Sequence, residues 1–302
     1  DSYKACVTFD GGWRAVAYQP IIGEEAAEKA ARQAEALFAR ARMLLRARNL
    51  PDFTATGSVL IGGEASFGEH GGRRSARELI CKLVADHADR KGAEIFAREQ
   101  WAAISGMAVG TSINLATQVL PMTGIFLCLI DKQGVTPRMT FEGVTRDIPV
   151  SPGVPAAPSQ APVEPVEPVE PVGPAQPAQP GVPVDLVRLA WARSGDKGHL
   201  FNVAVISRRP EYLPYLRAAL TPGAVGDWYR HLGPEGRPPR VDRYDVPGFH
   251  ALNFVVHDAL VGGINASTRL DSAAKGMAQM LLRFPVPLPP ALAAVSSAGK
   301  GE

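Results

Sequence analysis

The sequence lacks several features that would assign it at once to a large class of proteins. Its formal net charge is only +2, and its basic residues form no stripe interleaved with aromatic residues. We therefore expect no nucleic-acid partner. No apolar run approaches the ~20 residues of a membrane-spanning helix, and no charged segment followed by an apolar one opens the chain. These absences predict a soluble, cytoplasmic protein without a membrane partner.

Cysteine is also scarce. The chain has three cysteines, Cys6, Cys81 and Cys128, which lie far apart in apolar surroundings. An odd number at such spacings does not form a disulfide framework, and no histidine flanks any of them as it would beside a catalytic thiol. The pattern predicts buried free thiols in a reducing compartment.

The motifs of several well-known catalytic sites are missing as well. The sequence has no G-x-S-x-G elbow, which argues against an α/β-hydrolase triad, and no H-E-x-x-H or paired-cysteine spacing. It predicts no metal site. The cofactor remains unknown from the sequence.

Composition divides the chain into parts. With 302 residues, of which 46% are hydrophobic, it is long enough for two ordinary domains with cores of their own. Residues 147–184 have proline at nearly every third position and a short Val-Glu-Pro repeat, which is typical of a semi-rigid polyproline II linker. We therefore predict a first domain at 1–146, a Pro-rich linker at 147–184, a second domain at 185–292 and a tail at 293–302.

The first domain alternates strand and helix patterns. "DSYKACVTFDGGWRAVAYQP" predicts a hairpin with a glycine turn, "GEEAAEKAARQAEALFARARMLLRARNLP" an amphipathic helix that ends before Pro51, and "FTATGSVLIGG" a strand. Ser75 and Glu78 form a capping box that predicts a second helix, and a third starts near Asp89. A strand pair, "GIFLCLIDKQG" and "PRMTFEGVTR", follows. This order indicates an α/β or α+β unit.

Two glycine-rich loops of the first domain could each wrap an anion. They are "IGGEASFGEHGG", with Glu64, Glu69 and His70 as acid–base candidates, and "SGMAVGTS". Neither is a G-x-G-x-x-G between a strand and a helix, so a dinucleotide site is only weakly supported.

The second domain contains the most informative segment, "RSGDKG", between two predicted strands. In one interpretation, Arg193, Lys197 and the glycine backbone form a nest for a carboxylate, phosphate or pyrophosphate. Asp196 would then act as a general base or neutralise Lys197. In the alternative, the segment is a structural turn in which Ser194 and Asp196 cap backbone groups. The candidate ligand-binding residues, including an asparagine of the next strand, are Arg193, Ser194, Gly195, Lys197, Gly198 and Asn202.

A second polar segment, "HDALVGGINASTR", follows the predicted strand "HALNFVVHDAL". His257 and Asp258 are candidate proton-transfer residues, and the candidate ligand-binding residues are Gly262, Gly263 and Arg269. A metal site built from His250, His257 and Asp258 would lack the usual zinc spacings. In the structural alternative, His257 and Asp258 end the strand and the glycines form a turn.

Taken together, these segments resemble one protein family. "LAWARSGDKGHLFNVAVISR", "ALNFVVHDALVGG" and "RLDSAAKGMAQMLL", with "GWRAVAYQP" and "VLIGGEASFG" upstream, are similar to the acyclic terpene utilisation AtuA family of bacteria. The resemblance implies that 185–292 form the family's ferredoxin-like domain and that 1–146 correspond to the latter part of its larger N-terminal domain. The predicted fold is therefore α+β (α/β in the first half), with two domains joined by the linker.

Two functional hypotheses follow. The resemblance implies catabolism of acyclic terpenes through acyl-CoA intermediates, so in the first hypothesis the protein handles a CoA thioester or carboxylate. Arg193 and Lys197 would hold the anion, and Asp196 with His257 or Asp258 would transfer protons. In the second, the C-terminal domain is a non-catalytic assembly module that pairs copies of the chain, and we expect a homo-oligomer. The sequence does not decide whether the protein is an enzyme.

Overall fold

The computed structural model describes residues 2–71, 76–112, 116–149 and 181–298. Most of the predicted Pro-rich linker, the end of the predicted tail and Ser75 of the predicted capping box lie outside the described residues. Contacts divide the chain into two compact units, one of Asp1–Phe9 with Ile125–Gly181 and the other of Asp10–Gly124 with Val182–Glu302. The second unit therefore contains most of both predicted domains, whose boundaries stay a prediction. Within the described ranges, no helix combines the length and apolar character needed to cross a membrane.

The first sheet and its helices have a ferredoxin-like topology. Their order is βαββαβ: β1 (Ser2–Ile22), α1 (Ala26–Ala47), β2 (Ala55–Ile61), β3 (Glu78–His87), α2 (Arg90–Gly106) and β4 (Ala116–Asp131). The strands lie in the order β2-β3-β1-β4, and β3 pairs antiparallel with both β1 and β2. This is the split βαβ arrangement. The predicted mixture of helices and strands is confirmed, and the antiparallel pairing makes the first half α+β.

The two helices cover one face of this sheet. The apolar row predicted on α1 is confirmed, because Leu37, Phe38 and Ala41 are buried together with alternate residues of β1 and β3. Asp89 caps α2, and its carboxylate accepts a hydrogen bond of 2.9 Å from the backbone N–H of Lys91. The helix start predicted near Asp89 is thus confirmed.

Two predicted elements of the first half are wrong. The capping-box segment is the central strand β3 and not a helix, because both faces of this strand are covered and its apolar residues fit either period. The predicted opening hairpin is one continuous strand, β1. Gly12, with φ 85°, lies against the carbonyl of His87, so the glycine serves a close backbone approach and not a turn.

All three cysteines are free thiols, as predicted, but the predicted burial is correct for one of them only. Cys81 is buried in the first core, Cys128 is half-buried, and Cys6 is exposed. Burial raises the pKa of the Cys81 thiol to about 11, which makes it an inert core residue at neutral pH.

The unit of Asp1–Phe9 and Ile125–Gly181 contains a separate hairpin. Its strands are β5 (Arg138–Phe141) and β6 (Val144–Asp147), which pair antiparallel. None of the described residues of this unit is fully buried. Apolar side chains such as Phe126, Leu129 and Phe141 are more than half exposed.

The C-terminal domain contains the second large sheet. Its elements are β7 (Val182–Asp185), β8 (Ala190–Lys197), β9 (Leu200–Ser207), α3 (Leu213–Ala219), α4 (Pro222–Trp228), β10 (Val241–Val246), β11 (Ala251–Val256), α5 (Gly263–Ala266), α6 (Met277–Leu281), β12 (Pro285–Leu288) and α7 (Pro290–Ala298). The strands lie in the order β10-β11-β9-β8, and every neighbouring pair is antiparallel. Position by position, β10, β11, β9 and β8 correspond to β2, β3, β1 and β4. The last strand of the first sheet along the chain, β4, corresponds to β8, which comes first along the chain in the second sheet. The C-terminal domain is therefore a circularly permuted version of the first motif.

An ion pair attaches the C-terminal domain to the face of the first sheet opposite α1 and α2. Arg14 on β1 contacts the Asp86 carboxylate through Nε and Nη2, each at 2.7 Å. Its remaining donors reach the carbonyl oxygens of Ala266, at 2.6 Å, and Ser267, at 3.1 Å. The side chains of Arg14 and Asp86 are only 16% and 3% exposed, and four of the five guanidinium N–H groups donate to protein oxygens, so the pair is largely withdrawn from water.

Close packing continues along the same face. Gly57 on β2 lies against Thr268, and a Cβ at position 57 would stand 2.7 Å from Thr268 Oγ1. Lys82, from the same face of β3, donates a 3.4 Å hydrogen bond to the carbonyl of Arg269. Burial and the nearby charge of Arg14 lower the pKa of Lys82. Residues 266–269 are therefore held against the first sheet along their length.

We expect Gly57→Ala to lower the free energy of unfolding by about 1–3 kcal/mol, because the new methyl group would overlap Thr268 in a packed contact. Gly223→Ala is the matched control, since nothing lies within 4 Å of a Cβ at that position of α4. Urea unfolding followed by circular dichroism measures both variants. Equal midpoints for the two variants would show that the Thr268 contact is loose.

Candidate functional site

The "RSGDKG" segment is a strand end and a hairpin turn. β8 runs through Lys197, which pairs with Leu200, so Gly198 and His199 form a two-residue turn. Gly198 has φ 74°, as the first position of a tight hairpin turn requires. The turn interpretation therefore describes the backbone of this segment.

The pleat of β8 separates the predicted binding residues. Ser194 and Asp196 pair with buried Val203 and Phe201 and face the core, whereas Arg193, Gly195 and Lys197 face the other side of the sheet. A small anion bound by both Arg193 and Lys197 would therefore lie on the opposite face of the sheet from Asp196. On the outer side, the predicted Asn202 donates a 3.1 Å hydrogen bond to Asn253.

Ser194 and Asp196 have structural partners in the segment before α6. Ser194 Oγ accepts a 2.9 Å hydrogen bond from the backbone N–H of Ala278. The backbone N–H of Asp196 donates to the carbonyl of Ala273 at 3.1 Å, and its carboxylate lies 3.8 Å from Lys275 Nζ. These contacts fix residues 271–278 beside the edge of the sheet.

The two predicted polar segments do meet, but through their backbones. The N–H of Leu260 donates to the carbonyl of His199 at 3.0 Å, and a Cβ at Gly263 would stand 3.3 Å from the carbonyl oxygen of Gly198. Gly262 and Gly263 both have positive φ, which explains the glycines in this turn.

Two of the predicted proton-transfer residues, Asp196 and His257, do not lie together. Asp196 and Val256 pair with Phe201 from opposite sides, so they lie two strands apart. His257, the residue after Val256, is therefore about 10 Å from Asp196 across the sheet. His257 instead contacts the Asp242 carboxylate at 2.7 Å and is flanked by Arg240. In the described part of the chain, no three His, Cys, Asp or Glu side chains come close enough to hold a metal ion.

Arg269, the last predicted binding residue, lines a cavity of about 370 Å³ between the C-terminal domain and the first sheet. The walls come from α1, β2, two short turns at Ala65–His70 and Arg230–Leu232, and the segment that leads into α6. Much of the lining is apolar and includes Ala30, Val59, Leu60, Leu232, Leu270 and Met277. The polar lining includes Ser66, His231, Arg269 and Asp271.

Arg269 brings a positive charge to this cavity. Its guanidinium donates a 2.7 Å hydrogen bond to the carbonyl of Leu232, and burial lowers its pKa from the ordinary arginine value. Asp271, which also lines the cavity, forms no ion pair with Arg269, and its carboxylate accepts hydrogen bonds from the backbone N–H groups of Lys275 and Gly276 at 2.9 and 2.7 Å. Among the described residues, no carboxylate pairs with Arg269.

His231 supplies an unused hydrogen-bond acceptor. Its Nε2 lies 3.0 Å from the carbonyl of Ser66, so Nε2 carries the proton and Nδ1 carries the lone pair. Nδ1 is buried and has no hydrogen-bond partner among the described residues. An unsatisfied buried group costs about 1–3 kcal/mol, so this atom lowers the stability of the fold.

The first half of the chain holds His231 in place through the turn at Ala65–His70. Gly68, with φ 55°, packs directly on the imidazole of His231, where a larger residue would overlap the ring. His70 stacks on Trp228 with ring centroids 3.7 Å apart. The sequence analysis selected this loop but did not select His231. The glycine in "SFGEH" is the one local feature that points to a close contact at this position.

Family models match both sides of the cavity. Residues 1–141 match the acyclic terpene utilisation family protein AtuA, and residues 184–287 match the AtuA ferredoxin-like domain, which together span more than half of the chain. The chain belongs to the AtuA family. No curated protein and no solved structure matches this AtuA-family chain. Ser66 lies in the first matched region, and His231 and Arg269 lie in the second.

Burial lowers the pKa of His231 and outweighs the hydrogen bond to the Ser66 carbonyl, which raises it. The charges of His70 and Arg269 lower the pKa further, and Glu69 raises it with the smallest effect. Below pH 6.5, the ordinary value, the unfolded chain therefore takes up the proton first. We expect His231 to contribute stability above pH 6.5 that is lost as the pH falls. His231→Gln should reduce the loss between pH 7.5 and 5.5 in urea unfolding. The exposed His199→Gln is the control, and equal pH dependence in the two variants would contradict the assignment.

Proposed function

We propose that this AtuA-family protein binds a branched carboxylate, or its CoA thioester, in the utilisation of acyclic terpenes. The observation that carries the proposal is the cavity, in which apolar walls surround a guanidinium that has no carboxylate partner among the described residues. Family membership supports the acyclic terpene context. The three cysteines are unpaired, which suits our expectation that the protein acts in the cytoplasm.

The apolar walls suit the hydrocarbon part of such a ligand. A volume of about 370 Å³ lies within the range of roughly 300–1,000 Å³ that small-molecule sites occupy. Val59, Leu60 and Met277 offer aliphatic contacts without directional demands, as an acyclic branched chain requires. A coenzyme A group would exceed this volume, so a thioester would enter with its acyl end.

The charge of Arg269 favours the free acid over the thioester. A guanidinium forms its strongest hydrogen bonds with a carboxylate, whereas a thioester carbonyl offers a neutral acceptor only. Partial burial strengthens this preference because it weakens competition from water. Arg193 and Lys197, which face the outer side of the C-terminal sheet, lie outside the proposed site.

We expect citronellate, an acyclic terpene acid, to raise the melting temperature of the protein. A ligand at a hundred times its Kd adds about 2.7 kcal/mol to stability, and citronellyl-CoA should give a smaller shift at equal concentration. Arg269→Gln should lose the response, whereas the exposed Arg283→Gln should keep it. If none of these ligands shifts the native protein, the proposed function is wrong.

An assembly role is the second candidate, because the outer face of the C-terminal sheet is open and partly apolar. Trp191 and Ile206 are cross-strand neighbours there and are 53% and 42% exposed, and Tyr244 on the same face is 53% exposed. Arg208 stacks on the Trp191 ring. Aromatic residues with a flanking arginine are typical of protein interfaces, and a second copy of this chain would bury them symmetrically.

We expect light scattering to show a dimer or larger assembly for the native chain and a monomer for Ile206→Lys, because the lysine would place a desolvated charge in the contact. Met43→Lys is the control, since Met43 is an equally exposed apolar residue on α1. A native chain that is monomeric at micromolar concentration would exclude this candidate.

A further inference from the structure

The turn at Ala65–His70 belongs to the first half of the chain but packs on the C-terminal domain. Phe67 packs against the core of that domain, and Gly68 lies directly on the imidazole of His231. Glycines precede and follow the turn, at Gly62 and Gly71, and give its backbone freedom to rotate. The position of the turn therefore depends on the packing that the His231 ring offers.

Two imidazoles form hydrogen bonds between the turn and the C-terminal domain. His231 donates from Nε2 to the carbonyl of Ser66 at 3.0 Å. His70 Nε2 lies 2.9 Å from the carbonyl oxygen of Trp228, and the His70 ring stacks on the indole of the same residue. The two imidazole centroids are 6.2 Å apart. A positive charge on His231 would therefore arise within the contact that holds the turn.

The neutral form of His231 fits this contact, and the protonated form does not. Nδ1 is buried and has no hydrogen-bond partner among the described residues. A proton on Nδ1 would add a charge and an N–H group without an acceptor, and both would be withdrawn from water. The bond from Nε2 to Ser66 would remain, so the cost arises from burial of the charged ring.

The charges around His231 do not remove this cost. Burial is the largest effect and lowers the pKa of His231 below its ordinary value of 6.5. The charged or titratable residues around the ring include His70 and Glu69 of the turn, Arg269 and Asp271 of the segment that leads into α6, and Arg230, which pairs with Asp227. His70 and Arg269 oppose a positive charge on His231, and Glu69 favours one with the smallest effect.

We propose that proton uptake by His231 releases the turn at Ala65–His70 from the C-terminal domain and so opens the wall of the cavity. The release removes the cost of burial, because the charged imidazole then reaches water. Ser66 and His231 both line the cavity, so a separation of these two residues opens its lining between them. The inference concerns the fold of the protein alone and is independent of the proposed function.

Hydrogen–deuterium exchange of the full chain without added ligand tests the release. In the open state His231 takes up its proton with the ordinary pKa of 6.5, whereas the closed state does so only at lower pH. The open fraction should therefore rise by up to about 10-fold for each pH unit below 6.5. After correction for the intrinsic pH dependence of exchange, protection of the turn should fall by that factor, and protection of β9 should stay constant.

Three variants assign the effect to one imidazole. His231→Gln should remove the pH dependence, because its amide can keep a donor towards Ser66 but takes up no proton. His70→Gln should lower the protection of the turn at every pH, since it loses the stacking on Trp228, but it should keep the pH dependence. The exposed His199→Gln is the matched control and should behave as the native chain does.

The result on the native chain decides the proposal even if a variant fails to fold. Protection of the turn that stays constant between pH 7.5 and 5.5 would overturn it, and so would a pH dependence that persists in His231→Gln. An equal loss of protection in β9 would show general acid unfolding in place of a local release, and would also overturn it.

Discussion

The cavity depends on the ion pair between Arg14 and Asp86. A carboxylate that is 3% exposed is costly to desolvate, and the cost is offset only when every donor and acceptor around it is used. Two contacts of 2.7 Å join the pair, and the two remaining bonds run to backbone carbonyls of Ala266 and Ser267. The charge on β1 therefore fixes the position of the residues just before Arg269, which brings the cation of the site with them.

Glycines allow the two halves to approach closely enough to form walls. Gly57 admits Thr268 on one side of the cavity, and Gly68 admits the imidazole of His231 on the other. A side chain at position 57 would overlap Thr268, and one at position 68 would overlap the His231 ring, so each glycine makes room for the residue packed against it. Both matched family regions therefore contribute to the site. Arg14 and Asp86 lie in the first region, and Arg269 lies in the second.

The sequence predicts what local patterns determine. Helix α1 and the turn between β8 and β9 follow from apolar periodicity and glycine placement, and both are where the patterns put them. Strand β3 was misjudged because a strand covered on both faces has no period-2 signal. Arg269 was selected as a cation near glycines, but His231 was not found, because its contact is with Ser66, 165 residues away along the chain.

The charge of Arg269 affects the protonation of His231. The guanidinium disfavours a second positive charge, so it helps to keep the imidazole neutral and its Nδ1 available as an acceptor. A carboxylate bound to Arg269 would offset that repulsion and favour proton uptake by His231.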